Sequence, residues 1–199
     1  LVSVKIPTDK QFGLLSIEGG ITTGWNNLSN RNGSLAYLAG LRYRTSDMTS
    51  GIDIELMFGN GEDDFAEAPA KGGSQFFALS SRGKKLDRIA GNITLMHQVS
   101  PDLETIIELF YGSQEGGDIP AGPQFITEDV HWYGAFVAMR YQLQPGIFFN
   151  GRTEWVNDKK AANALFAGSP GNTYALTANI DWQLNAYLNV ITEVKYDIY

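Results

Sequence analysis

Arg42 and Arg44 stand two residues apart, and Asp53 and Glu55 follow at the same spacing. Charge recurs two residues apart in Arg152-Thr153-Glu154 and Glu193-Val194-Lys195, and single charges stand at Arg88, Glu108, Arg140 and Asp181. Side chains two apart on an extended chain project to one face. Basic and acidic groups opposed across a water-filled passage set a transverse field, which orients a dipolar solute and selects by charge. In a narrow passage the same groups form cross-strand ion pairs and fill the space. The chemistry expected of these residues is electrostatic selection rather than bond-making.

Other chemistries find less support. The chain has no cysteine, so thiol nucleophiles, disulfides and thiolate metal sites are excluded. His97 and His131 are its only histidines; they fall on separate segments, and no Ser-His-Asp order surrounds either, so no catalytic residue and no enzyme activity is expected. Glu62, Asp63, Asp64 and Glu67 lack the spacing of a calcium loop and read as a solvated acidic stretch, so no metal site is expected. Gly19-Gly20 and Gly72-Gly73 have no strand–loop–helix context for holding phosphate, and no cofactor is implied.

The segments that must position the charges alternate residue by residue. Between Gly13 and Trp25 one parity reads Leu15, Ile17, Gly19, Ile21, Thr23, Trp25, and the other reads Ser16, Glu18, Gly20, Thr22, Gly24. A period of two predicts a strand. Such strands are expected at 1–6, 12–25, 34–45, 50–59, 86–99, 102–112, 130–143, 146–156, 173–184 and 187–198. Apolar parities include Ile52-Ile54-Leu56-Phe58 and Tyr174-Leu176-Ala178-Ile180-Trp182-Leu184. In the weakest strand, 102–112, Thr105-Ile107-Leu109-Tyr111 is assigned outward and Glu104-Ile106-Glu108-Phe110 inward. The connections alternate short and long, the rhythm of an up-and-down barrel with tight turns on one membrane side and large loops on the other.

The outward parity ends in aromatic residues. Trp25, Phe58, Tyr111, Tyr133, Trp155, Tyr174 and Tyr196 fall near the long-loop ends, and Tyr43, Tyr141 and Trp182 near the short-turn ends. Rings at both headgroup levels are the girdles of a barrel in a bilayer. No run of about 18 apolar residues exists, which excludes a transmembrane helix but not strands that meet lipid at every second residue. The formal charge of −7 argues against nucleic acid as a partner. The fold expected is an all-β, antiparallel, up-and-down transmembrane β-barrel, one domain over residues 1–199.

Four motifs carry a resemblance: Gly24-Trp25-Asn26; Trp132-Tyr133-Gly134 followed by Arg140-Tyr141; Arg152-Thr153-Glu154-Trp155 with Asp158; and Glu193-Val194-Lys195-Tyr196-Asp197, where lysine replaces an arginine. In order and spacing the chain resembles the β-barrel porin-2 family, also described as OmpL-like porins. The resemblance implies an outer-membrane channel of Gram-negative bacteria, with no catalytic residues to carry over. The partners expected are the lipid bilayer and its lipopolysaccharide, small hydrophilic solutes, and a second copy or an envelope protein. One departure is that Tyr199 has Asp197, Lys195 and Glu193 on its parity, whereas a closing barrel strand has apolar residues there. Leu1 also starts inside a strand pattern, so the chain is expected to be a fragment, with about ten strands as a lower limit. The expectation from another class is a structural barrel, filled or bound to a partner, which the bulky inward Met57, Phe110, Trp132, Phe136 and Phe148 favour. A soluble sandwich would instead need the apolar parity to be buried.

Overall fold

The computed structural model describes residues 2–22, 35–60, 87–115, 119–121, 124–126, 129–158 and 171–198. The strands are β1 (Val2–Ile6), β2 (Leu14–Thr22), β3 (Ala36–Arg44), β4 (Ser50–Asn60), β5 (Asp87–Ser100) and β6 (Leu103–Gln114). After them come β7 (Ile119–Ala121), β8 (Gln124–Ile126), β9 (Val130–Gln144), β10 (Ile147–Asp158), β11 (Gly171–Gln183) and β12 (Asn189–Ile198). Ten of them form one sheet in the order β1-β2-β3-β4-β5-β6-β9-β10-β11-β12, each antiparallel to its neighbour. The chain therefore folds as an all-β meander in which consecutive long strands are always partners. β1 and β12 are its edges and, among the described residues, do not pair with each other.

Register converts the two parities into two surfaces. One row across the sheet reads Ser16, Arg42, Asp53, Thr94, Glu108, Phe136, Glu154, Ala175, Asp197. The row beside it, one residue along and on the opposite face, reads Ile17, Leu41, Ile54, Ile93, Leu109, Ala135, Trp155, Tyr174, Ile198. A slip of one residue in any strand would exchange its faces. The polar face is concave, because a single cavity on it is walled by residues from β2 (Glu18) round to β10 (Val156).

Among the described residues, no element packs against the apolar face. Ile54 is 38% exposed, Val137 45% and Leu176 59%. The tightest burial lies on the other face, at Trp132, Val156, Ala175, Arg88 and Asp181. This is the inverse of a soluble sheet, whose apolar side seeks a protein core.

The turns agree with the expected strand limits at most sites. Gly146 takes φ 80° beside Pro145, which only glycine adopts without strain, and so closes β9–β10 in two residues. The β3–β4 turn is tied by Asp47, whose carboxylate accepts from the Thr45 hydroxyl (2.6 Å), the Thr49 hydroxyl (2.9 Å) and the Thr49 N–H (3.1 Å). Three differences stand out. A 3₁₀ turn at Lys10–Phe12 precedes β2. The short pair β7–β8 forms its own hairpin inside a segment expected to be loop. The last turn is longer than the expected Asn185-Ala186, because the Asn185 side chain accepts from the N–H groups of Tyr187 and Leu188 and holds the loop open to Leu188. Tyr187 is left 99% exposed, and β12 begins at Asn189 rather than at 187.

Candidate lumen-facing site

The concave face holds its charges in clusters set by register. Arg42 lies opposite Asp53, with Glu18 and Glu55 on the diagonals. Its guanidinium is 3.3 Å from Glu18 and 3.2 Å from Glu55, and 4.0 Å from Asp53. Arg44 grips Asp53 with both terminal nitrogens, at 2.5 and 2.9 Å. Such a two-pronged pair fixes direction as well as charge. Glu18 reaches this cluster across Gly40, where its Cβ stands 3.4 Å from the place a Cβ would take.

A second group lies across β9 to β12. Arg140 is 3.4 Å from Asp181, a pair that spans the intervening β10. Arg152 pairs with Glu154 at 3.0 Å and Lys195 with Asp197 at 3.1 Å, each along its own strand. The Asn150 amide donates to the Asn179 carbonyl at 2.6 Å, and the Asn179 amide reaches Glu193 at 3.5 Å. Glu108 accepts from the Thr94 hydroxyl at 3.1 Å.

Three of the inward aromatics are seats for arginines. Arg140 lies 3.9 Å over Phe148, Arg152 4.3 Å over Phe136 and Arg88 4.7 Å over Trp132. A cation over a ring face gains about 0.5–1 kcal/mol where exposed and more where desolvated. It also replaces an apolar surface toward the lumen with a polar one. Trp132 reaches Arg88 by lying flat across β6, which works because residue 112 is glycine: a Cβ there would collide with the indole. Phe110 likewise lies over Gly134.

The sequence pattern brings together Arg42, Arg44, Asp53 and Glu55, but it does not select Glu18, Asn92, Glu104 or the ring–arginine pairs. Parity assigns a face; diagonal neighbours across one or two strands follow only from register. On the apolar face, Tyr37 stacks on Phe58 at 5.2 Å and Tyr133 meets Trp155 edge-on at 5.6 Å. Tyr111, Tyr174, Trp182 and Tyr196 are exposed there, and Tyr43 is half-buried. Tyr141 and Tyr133 lie eight residues apart on β9, about 26 Å along the strand at 3.3 Å per residue. A tilt of 35–45° brings that to about 20 Å of depth, close to the height of a barrel's apolar band. Trp25 and the acidic run Glu62 to Glu67 lie outside the described residues. His97 bonds Ser50 at 2.8 Å and His131 bonds the Tyr111 hydroxyl at 2.8 Å, both on the apolar face and near opposite strand ends.

A family model described as "Putative beta-barrel porin-2, OmpL-like" matches residues 9–198. No curated protein and no solved structure matches the chain.

Proposed function

The chain belongs to the beta-barrel porin-2, OmpL-like family, and we propose that it acts in the outer membrane as a hydrated channel through which small hydrophilic solutes diffuse without an energy source. One observation carries this reading: every long strand turns apolar side chains to an unpacked surface and charged ones to a concave wall. An apolar surface spanning ten strands far exceeds the few hundred Å² a soluble monomer exposes. Lipid is the solvent that such a surface fits. Residues 1–199 act as one membrane domain, with the tight turns in the periplasm and the long loops outside. Unpaired edge groups cost several kcal/mol each in hydrocarbon, so β1 and β12 find partners in the bilayer.

Within the channel, Arg42, Arg44, Asp53, Glu55, Arg88, Glu108, Arg140, Arg152, Glu154, Asp181, Glu193 and Lys195 bias which solute enters. The outward rings hold the wall at the two headgroup levels. No reaction is assigned to it. Lipopolysaccharide packs against the outer leaflet end, and the wall associates with a second copy or an envelope protein.

The test is purification in detergent, insertion in a planar bilayer, and measurement of single-channel current together with solute uptake into vesicles. Discrete current steps and uptake of small sugars and amino acids are expected. Folded, inserted protein that gives neither current nor uptake overturns the channel and leaves the scaffold reading.

A further inference from the structure

On the concave wall, a cavity of about 670 Å³ sits over β4, β5, β6 and β9, within the range of small-molecule sites. Its charges are mostly paired off. Arg42 is shared between Glu18 and Glu55, and Arg152 holds Glu154. Two acceptors on the same wall are not. The Asn92 carbonyl oxygen is buried and has no hydrogen-bond partner. Glu108 takes one hydroxyl bond from Thr94, and among the described residues no guanidinium or ammonium pairs with it. Next to both stands Phe110, two residues from Glu108 on β6 and directly opposite Asn92 on β5, with its ring reaching over Gly134 on β9. Trp132 and Phe136 are covered by arginines, whereas among the described residues no guanidinium lies over Phe110, which also lines the cavity. Met57, on β4, lines the same cavity.

Each simple class of solute fits part of this wall and not the rest. An anion meets the carboxylates of Glu18, Glu55, Glu108 and Glu154; a cation meets Arg42 and Arg152; an apolar molecule leaves Asn92 without a donor and Glu108 with that of Thr94 alone. A neutral ring with hydroxyls around its edge and C–H groups on its face satisfies all of it. Its hydroxyls donate to Asn92 and Glu108 and accept from neighbouring guanidinium N–H groups, and its C–H face lies on Phe110. We infer that Glu108, Asn92 and Phe110 form a binding station for a neutral sugar partway along the wall. The inference rests on the reading of the concave face as a wet lumen.

The experiment adds maltose or glucose to single channels in a planar bilayer and, separately, measures sugar binding by saturation-transfer NMR on the protein in a detergent without a sugar headgroup. Brief sugar-dependent interruptions of the current and saturation transfer to the sugar ring are expected. Both weaken about tenfold in Glu108→Gln and in Phe110→Ala, the loss set by a charge-assisted hydrogen bond or a stacking face. Phe110→Trp restores binding. Circular dichroism and detergent-resistant migration confirm that each variant is folded. A conducting channel that neither binds nor is interrupted by sugar overturns the station and leaves the channel standing. A folded protein that binds sugar but does not conduct supports the station and removes the channel. Equal binding by wild type and variants, or stronger interruption by choline or benzoate than by maltose, also overturns it.

Discussion

Three arginines on this wall owe their positions to what lies beneath them. Arg88 rests on Trp132, and Trp132 lies flat because residue 112 offers no Cβ. Gly112→Val therefore lifts the indole off β6 and loosens Arg88. Overpacking of this kind costs about 1–3 kcal/mol, read as a lower midpoint of urea unfolding in vesicles; an unchanged midpoint would show that the indole has room elsewhere. Asp47 is a residue-scale case outside the bilayer. The Thr45 hydroxyl, together with the N–H and hydroxyl of Thr49, bonds its ionised form and lowers its pKa from the usual 3.8 to about 2. A depressed carboxyl stabilises the fold above the unfolded pKa, so the β3–β4 turn keeps this contribution above about pH 4 and loses it as pH falls through about 2. Carboxyl-carbon NMR should show Asp47 titrating well below an aspartate in an unfolded peptide. Titration together with that peptide would mean that the three bonds do not persist in solution.

At the scale of the strand, adjacent residues live in different solvents. Ile93 and Thr94 are neighbours in the middle of β5. Ile93 lies between Ile54 on β4 and Leu109 on β6, on the exposed apolar face, while Thr94 lies between Asp53 and Glu108 on the concave one. Ile93→Arg is expected to cost about 2–4 kcal/mol, the depth-dependent penalty at a bilayer midplane. Thr94→Arg gains two flanking carboxylates and costs far less. Equilibrium unfolding of both variants in lipid vesicles measures the difference, and equal costs would contradict the assignment of faces. The same alternation makes the expected strands legible in sequence to within one or two residues at most ends. The last turn and the β7–β8 hairpin were not legible, because side-chain bonds such as those of Asn185 and pairing over three residues leave no periodic trace.

The molecule as a whole is a curved wall with an exposed apolar face and a concave charged one, and its tryptophans report which of the two meets lipid. Trp155 and Trp182 belong to the apolar face, whereas Trp132 is 3% exposed on the concave one. In variants retaining one tryptophan each, brominated lipids should quench Trp155 and Trp182 strongly and Trp132 weakly. Strong lipid quenching of Trp132 alone would turn the wall inside out. The solute question also belongs to this scale, since a transverse arrangement of charge exists only once seven strands have curled around a common cavity.

Period-two alternation with charge on one parity was enough to determine strands, their faces, the meander and the presence of a lipid-facing surface, because each of these depends on residues near in sequence and on the solvent each side must meet. The face on which the charged residues stand was legible for the same reason. Which of them touch was decided by the tertiary structure: Glu18 with Arg42, Arg140 with Asp181, and guanidinium groups seated on Trp132, Phe136 and Phe148. Those contacts run diagonally between neighbouring strands or skip a strand, as Arg140–Asp181 and Arg88–Trp132 do, so they depend on register and curvature, which the periodicity of a single segment does not set.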